Sequence, residues 1–133
     1  MAATRHRVVR ALLRKWRRLL TIDPLWAIRV ELTPQADLDG TPVAATIEYR
    51  SERWAAILTI ADAVPADELE HTIVHELLEL SLFETYDLWV DLIQYAVTDE
   101  AVRLTLDGQM RVGTNRFINR LVPGLIRLAG GSK

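Results

Sequence analysis

Two histidines and two glutamates fall within ten residues, 71–80, which read His-Thr-Ile-Val-His-Glu-Leu-Leu-Glu-Leu. The stretch nearly spells His-Glu-x-x-His, with Glu79 standing where the second histidine would be. On a helix, residues four apart stand one turn, about 6 Å, from each other on one face, so His75 and Glu79 can reach a single metal ion. Glu76, between them, is placed to polarise a water molecule and carry its proton. A carboxylate oxygen ligates zinc at about 2.0 to 2.2 Å, so glutamate at 79 does not by itself remove the site. The chain has no cysteine, which excludes thiolate ligands and leaves histidine and carboxylates as the only strong donors. His71 and His75 are also four apart and offer a second pair. That pair encloses no glutamate, and His71 is about 12 Å of helix rise from Glu79, too far for both to share an ion. The set built on His75 and Glu79, with Glu76 as base, is therefore preferred.

The elements that must position these groups follow from periodicity. Around 66–83, Leu69, Ile73, Leu77, Leu80 and Phe83 recur at helical spacing, with Asp67 as a start signal just after Pro65. Before it, residues 25–32 alternate through Trp26, Ile28, Val30 and Leu32 as a strand with one buried face, Arg29 and Glu31 facing water. Residues 45–50 form a second alternating strand. Residues 54–61 are continuously apolar, as a strand covered on both sides should be, and 51–53 close the two as a hairpin. Residues 33–42, with two prolines and Gly40, read as a loop. After the helix, 86–106 and 115–128 read as two more helices, the first stopping at Asp107-Gly108 and the second, interrupted by Pro123, at Gly130-Gly131.

With 133 residues, half of them apolar, the chain supports one real core. Strands segregated from helices predict an α+β fold, a small, mainly antiparallel three-stranded sheet with helices packed on one face. No apolar run approaches the roughly 20 residues that cross a bilayer, so a cytoplasmic protein, or part of a virion, is expected. Trp26, Trp54 and Trp89 are assigned to packing rather than to a substrate platform.

The strand 54–61, the short acidic loop and the helix holding Thr72-Ile73-Val74-His75-Glu76-Leu77-Leu78 together resemble the zincins, and specifically the minimal gluzincin-type metallopeptidases. In that family a glutamate on the following helix is the third ligand. Glu100, in Asp99-Glu100-Ala101-Val102-Arg103-Leu104, stands at a comparable distance, 21 residues after Glu79. The resemblance covers roughly residues 26–106, its diagnostic part being a handful of positions. It implies a zinc site held by His75, Glu79 and Glu100, with Glu76 activating water to cleave a peptide substrate laid beside the sheet edge. One imidazole with two carboxylates nearly neutralises a divalent ion, which implies weak or lost hydrolysis and lets manganese, magnesium or calcium compete with zinc. The rival expectation is a non-catalytic structural or adaptor protein, such as a phage virion component, that keeps the fold for its surfaces.

The net charge of −2 conceals an asymmetry. Arg5, Arg7, Arg10, Arg14, Lys15, Arg17 and Arg18 precede the first acid, Asp23, and those seven of 16 basic residues leave 9 against 18 acids in the rest. Val8, Val9, Leu12, Leu13, Trp16, Leu19 and Leu20 interleave them at helical spacing, so residues 1–21 read as a basic amphipathic helix. Asp23-Pro24 then separates it from a single zincin-like domain over 22–133. The expected role of 5–20 is to dock on a protein partner or larger assembly. Nucleic acid is a less favoured target for its arginines.

Overall fold

The computed structural model describes residues 2–22, 25–38 and 40–130; the Asp23-Pro24 break and Gly131 lie outside them. The chain is mixed α and β and divides into two compact units, Met1–Leu80 and Ser81–Lys133.

The first unit opens with helix α1 (Ala2–Leu19), followed by strands β1 (Ala27–Thr33), β2 (Ala36–Leu38), β3 (Thr41–Val43), β4 (Ala45–Arg50) and β5 (Ala55–Ala61). It closes with helix α2 (Leu69–Ser81), whose last residue belongs to the second unit. The main sheet has the order β1-β5-β4, with β5 in the centre. β4 and β5 form an antiparallel hairpin in which Arg50 faces Ala55, whereas β1 runs parallel to β5 from Ala27 opposite Ala55 to Thr33 opposite Ala61. The sheet is therefore mixed, not mainly antiparallel: β4 returns against β1, and β5, turning back again, inserts beside β1 rather than on the outside. Its central position accounts for its composition, since Ala56, Leu58, Ile60 and Ala61 are buried and the residues between them half-buried. β1, an edge strand, alternates instead, with Arg29 and Glu31 exposed and 2.9 Å apart.

The loop expected over 33–42 contains a small hairpin, in which β2 pairs antiparallel with β3. Gly40 makes its turn possible by adopting φ +80, a conformation from which a Cβ would be repelled. At the tip of the β4–β5 hairpin Trp54 takes up φ 49, uncommon for a bulky residue. Its ring meets Trp26 edge-on at 5.2 Å, and Trp26 in turn meets Tyr49 at 6.1 Å. This aromatic cluster is packing, and it holds the strained corner in place.

α1 is built into this unit. Val9, Leu13 and Trp16 are 0 %, 5 % and 1 % exposed. Arg5 donates to the Ala61 carbonyl at the end of β5, Arg17 to the Trp26 carbonyl, and Trp16 Nε1 to Glu70 Oε1 of α2 at 2.8 Å. Lys15 reaches the same carboxylate oxygen at 2.9 Å. Burial alone would raise the Glu70 carboxyl, but the Lys15 and Trp16 hydrogen bonds outweigh it and hold the group below its ordinary value. The expectation that the apolar stripe docks on a partner is thus corrected: its Val9, Leu13 and Trp16 are spent on the chain's own core.

The second unit is a pair of packed helices, α3 (Phe83–Ala96) and α4 (Glu100–Ala129). They replace the two helices expected over 86–106 and 115–128, with the boundary shifted. The break falls at 97–99, where Asp99 caps α4 by accepting from the Val102 N–H at 3.0 Å. The helix then continues for 30 residues through Gly108 and Pro123. A helical glycine costs only about 1 kcal/mol relative to alanine, so Asp107-Gly108 is a weak stop in a long helix. Asp107 also receives a hydrogen bond from Tyr86 of α3 at 3.1 Å. Replacing Asp99 by alanine should cost about 1 kcal/mol of stability in chemical denaturation. A loss below a few tenths would show that the cap does not set the boundary.

Candidate metal centre

α2 is apolar nearly all round. Leu69, Ile73, Val74, Leu77, Leu78 and Leu80 are buried, and Thr72, also buried, returns its hydroxyl to the Glu68 carbonyl at 2.9 Å. A helix so enclosed positions its few polar side chains rigidly. Those left are Glu70, engaged with α1, the exposed His71 and Ser81, and the group His75, Glu76 and Glu79.

That last group converges. One potential ligand atom from each of His75, Glu76 and Glu79 lies within 4.8 Å of the other two, the single such cluster of three or more metal-binding side chains found among the described residues. Glu79 is its hub. His75 Nε2 stands 3.5 Å from Glu79 Oε1 at the i,i+4 spacing, and Glu76 hydrogen-bonds Glu79 at i,i+3. Exposure falls across the group, from Glu79 at 35 % and His75 at 20 % for their side chains to Glu76 at 7 % for the whole residue. Burial pushes the Glu76 carboxyl up to about 9, with the negative charge and hydrogen bond of Glu79 adding to it. Burial thus favours the protonated form of the Glu76 carboxyl, which shares its hydrogen with Glu79.

Of the residues singled out in the sequence, His75, Glu76 and Glu79 are brought together, and His71 stays outside the cluster. Glu100 belongs to the second unit. There it is the first residue of α4 and lines a cleft with Tyr86, Val90, Gln94, Arg103 and Asp107. What the sequence did not show is that Glu76 stands near enough to His75 and Glu79 to be a ligand itself. The signal was present in the i,i+3 spacing of Glu76 and Glu79, which lets one residue serve either as base or as ligand.

The donor set suits a divalent cation. Two buried or half-buried carboxylates in contact need positive charge between them, and the proton that Glu76 holds supplies it in the metal-free chain. A doubly charged ion meets the same need, with His75 adding a neutral nitrogen. Two oxygen donors to one nitrogen make the set harder than that of a two-histidine site, favouring manganese or magnesium relative to zinc. No protein-family model matches the chain, and no curated protein or solved structure is significantly similar to it.

Proposed function

We propose that α2 carries a divalent-cation site held by His75, Glu76 and Glu79, and that the site serves hydrolysis of a peptide bond in the manner of a zincin. The observation that supports this reading is the convergence of three ligand atoms within 4.8 Å on one turn of a buried helix. A cation held there supplies Lewis acidity. The chain's own groups supply the rest. In the metal-free chain Glu76, the most deeply buried, holds a proton at its carboxyl oxygen; it would give that proton up on binding a cation, leaving its second oxygen to accept from a neighbouring water. Glu79 orients it through their hydrogen bond and steadies His75 from the other side.

Chelator-washed protein titrated calorimetrically with manganese and zinc should bind one ion per chain. It should release about one proton per ion near neutral pH, because Glu76 must give up the hydrogen it shares. His75→Ala should weaken binding at least about 10-fold. Glu79→His should strengthen zinc over manganese, since a second imidazole suits zinc and leaves more uncompensated charge on it. Cleavage of a fluorescent casein by the metal-loaded protein, absent from the chelator-washed protein, tests hydrolysis separately. Stoichiometric binding that survives His75→Ala, or no binding of either ion, would rule the site out.

A further inference from the structure

α1 contains seven basic residues and no acid, and the fold sorts them into two groups. Arg5, Lys15 and Arg17 turn to their own unit, bonding to the Ala61 carbonyl, the Glu70 carboxylate and the Trp26 carbonyl. Arg7, Arg10, Arg14 and Arg18 are exposed, and no carboxylate among the described residues pairs with them. At 3.6 residues per turn these four fall within an arc of about 80°, turned away from Val9 and Trp16, and span about 16 Å of helix. Like charges one turn apart repel. The row is therefore a line of positive charge with no carboxylate partner among the described residues.

The burial of the opposite face decides what such a line can bind. A helix that lies on a membrane inserts its apolar side, and its tryptophan sits at the headgroup level. Trp16 is 1 % exposed and hydrogen-bonded to Glu70, so that side is not available. What remains is recognition by charge alone, through guanidinium forks that match phosphate oxygens. A nucleic-acid strand offers the complementary line, one phosphate per about 3.4 Å of axis. We propose that the outward face of α1 binds the phosphate backbone of nucleic acid through Arg7, Arg10, Arg14 and Arg18, without reading its sequence.

The test is fluorescence anisotropy of the full chain with a labelled DNA duplex of about 20 base pairs, over salt from about 50 to 200 mM. Four neutralised phosphates give a slope of about −3.6 in log affinity against log salt, a weakening of about 150-fold across that range. Replacing Arg10 and Arg14 together by glutamine should bring the slope to about −1.8, whereas lysine at both should preserve it. Both variants should melt with the parent, since these side chains are exposed. Should the glutamine pair melt early, Arg14→Gln alone should still lower the slope by about 0.9. Absence of binding at the lowest salt, or a slope that the glutamine variants leave unchanged, overturns the proposal. So does tighter binding to phosphatidylserine vesicles than to the duplex, which would assign the face to a membrane.

Discussion

Removing residues 2–20 is expected to unfold the Met1–Leu80 unit rather than release a folded body. Leu13 and Trp16 are 5 % and 1 % exposed, and truncating a buried leucine or tryptophan to alanine costs about 2 to 5 and about 3 to 5 kcal/mol respectively. The total stability of a domain is about 5 to 15 kcal/mol, so the Leu13→Ala, Trp16→Ala pair consumes most or all of it. Trp16→Ala also strips Glu70 of its indole donor. Trp16→Phe, which keeps much of the apolar volume while losing the N–H and part of the ring system, should therefore fall well short of the alanine loss. Thermal melts followed by circular dichroism, with near-ultraviolet signals to report packing, measure this. A deletion variant that melts cooperatively at the parent temperature would show α1 to be dispensable.

The second large effect is a pH dependence with an unusual direction for a carboxylate. Glu76 titrates at about 9 in the folded chain and at the ordinary 4.5 when unfolded. Between those values the native state holds a proton that the unfolded state releases, so stability declines as pH rises through the window and is lowest above the folded value. At pH 7 the separation of about 2.5 units corresponds to a cost on the order of 3 kcal/mol relative to acid conditions. Glu76→Gln cannot ionise, yet its amide can still donate to Glu79. In the presence of chelator its advantage over the parent should be larger at pH 8 than at pH 5 by on the order of 4 kcal/mol. Parallel pH profiles for the two proteins would mean that Glu76 is ionised in the native chain.

How much of this was legible in the sequence depends on the range of the interaction that decides each feature. The span 45–50 is matched residue for residue by β4, and 54–61 by β5 to within one residue, because alternation and continuous apolar character are local signals. The continuous character of β5 also hinted at its central place. The parallel pairing with β1 was invisible, since no local pattern says which edge of a strand its neighbour takes. The short β2–β3 hairpin escaped because three residues on each side are too few to show a period, leaving only the glycine of its turn. The α3–α4 boundary was missed for another reason. Asp99 had the right identity for a cap, but Asp107-Gly108 looked the stronger punctuation, and only a turn with positive φ would have made it one.

The site follows the same division. The spacing of His75, Glu76 and Glu79 on one helix was readable from the helix period, whereas the burial that makes Glu76 an acid depends on everything packed around α2. The arm shows the reverse failure. Its amphipathic pattern was plain in the letters, but a stripe of Val9, Leu13 and Trp16 says only that a groove exists. That the groove lies on the same chain is a tertiary fact.

The distance in sequence between that stripe and its groove bears on how the unit is made. Trp16 finds Glu70 54 residues later, and Arg5 finds Ala61 56 residues later. A ribosome adds about 5 to 20 residues per second. The apolar side of α1 therefore leaves the exit tunnel about 3 to 10 seconds ahead of the surface that covers it. Although it is synthesised before them, this helix can reach its place only after β5 and α2 have followed it out, so the earliest-made element of the unit is among the last to be seated.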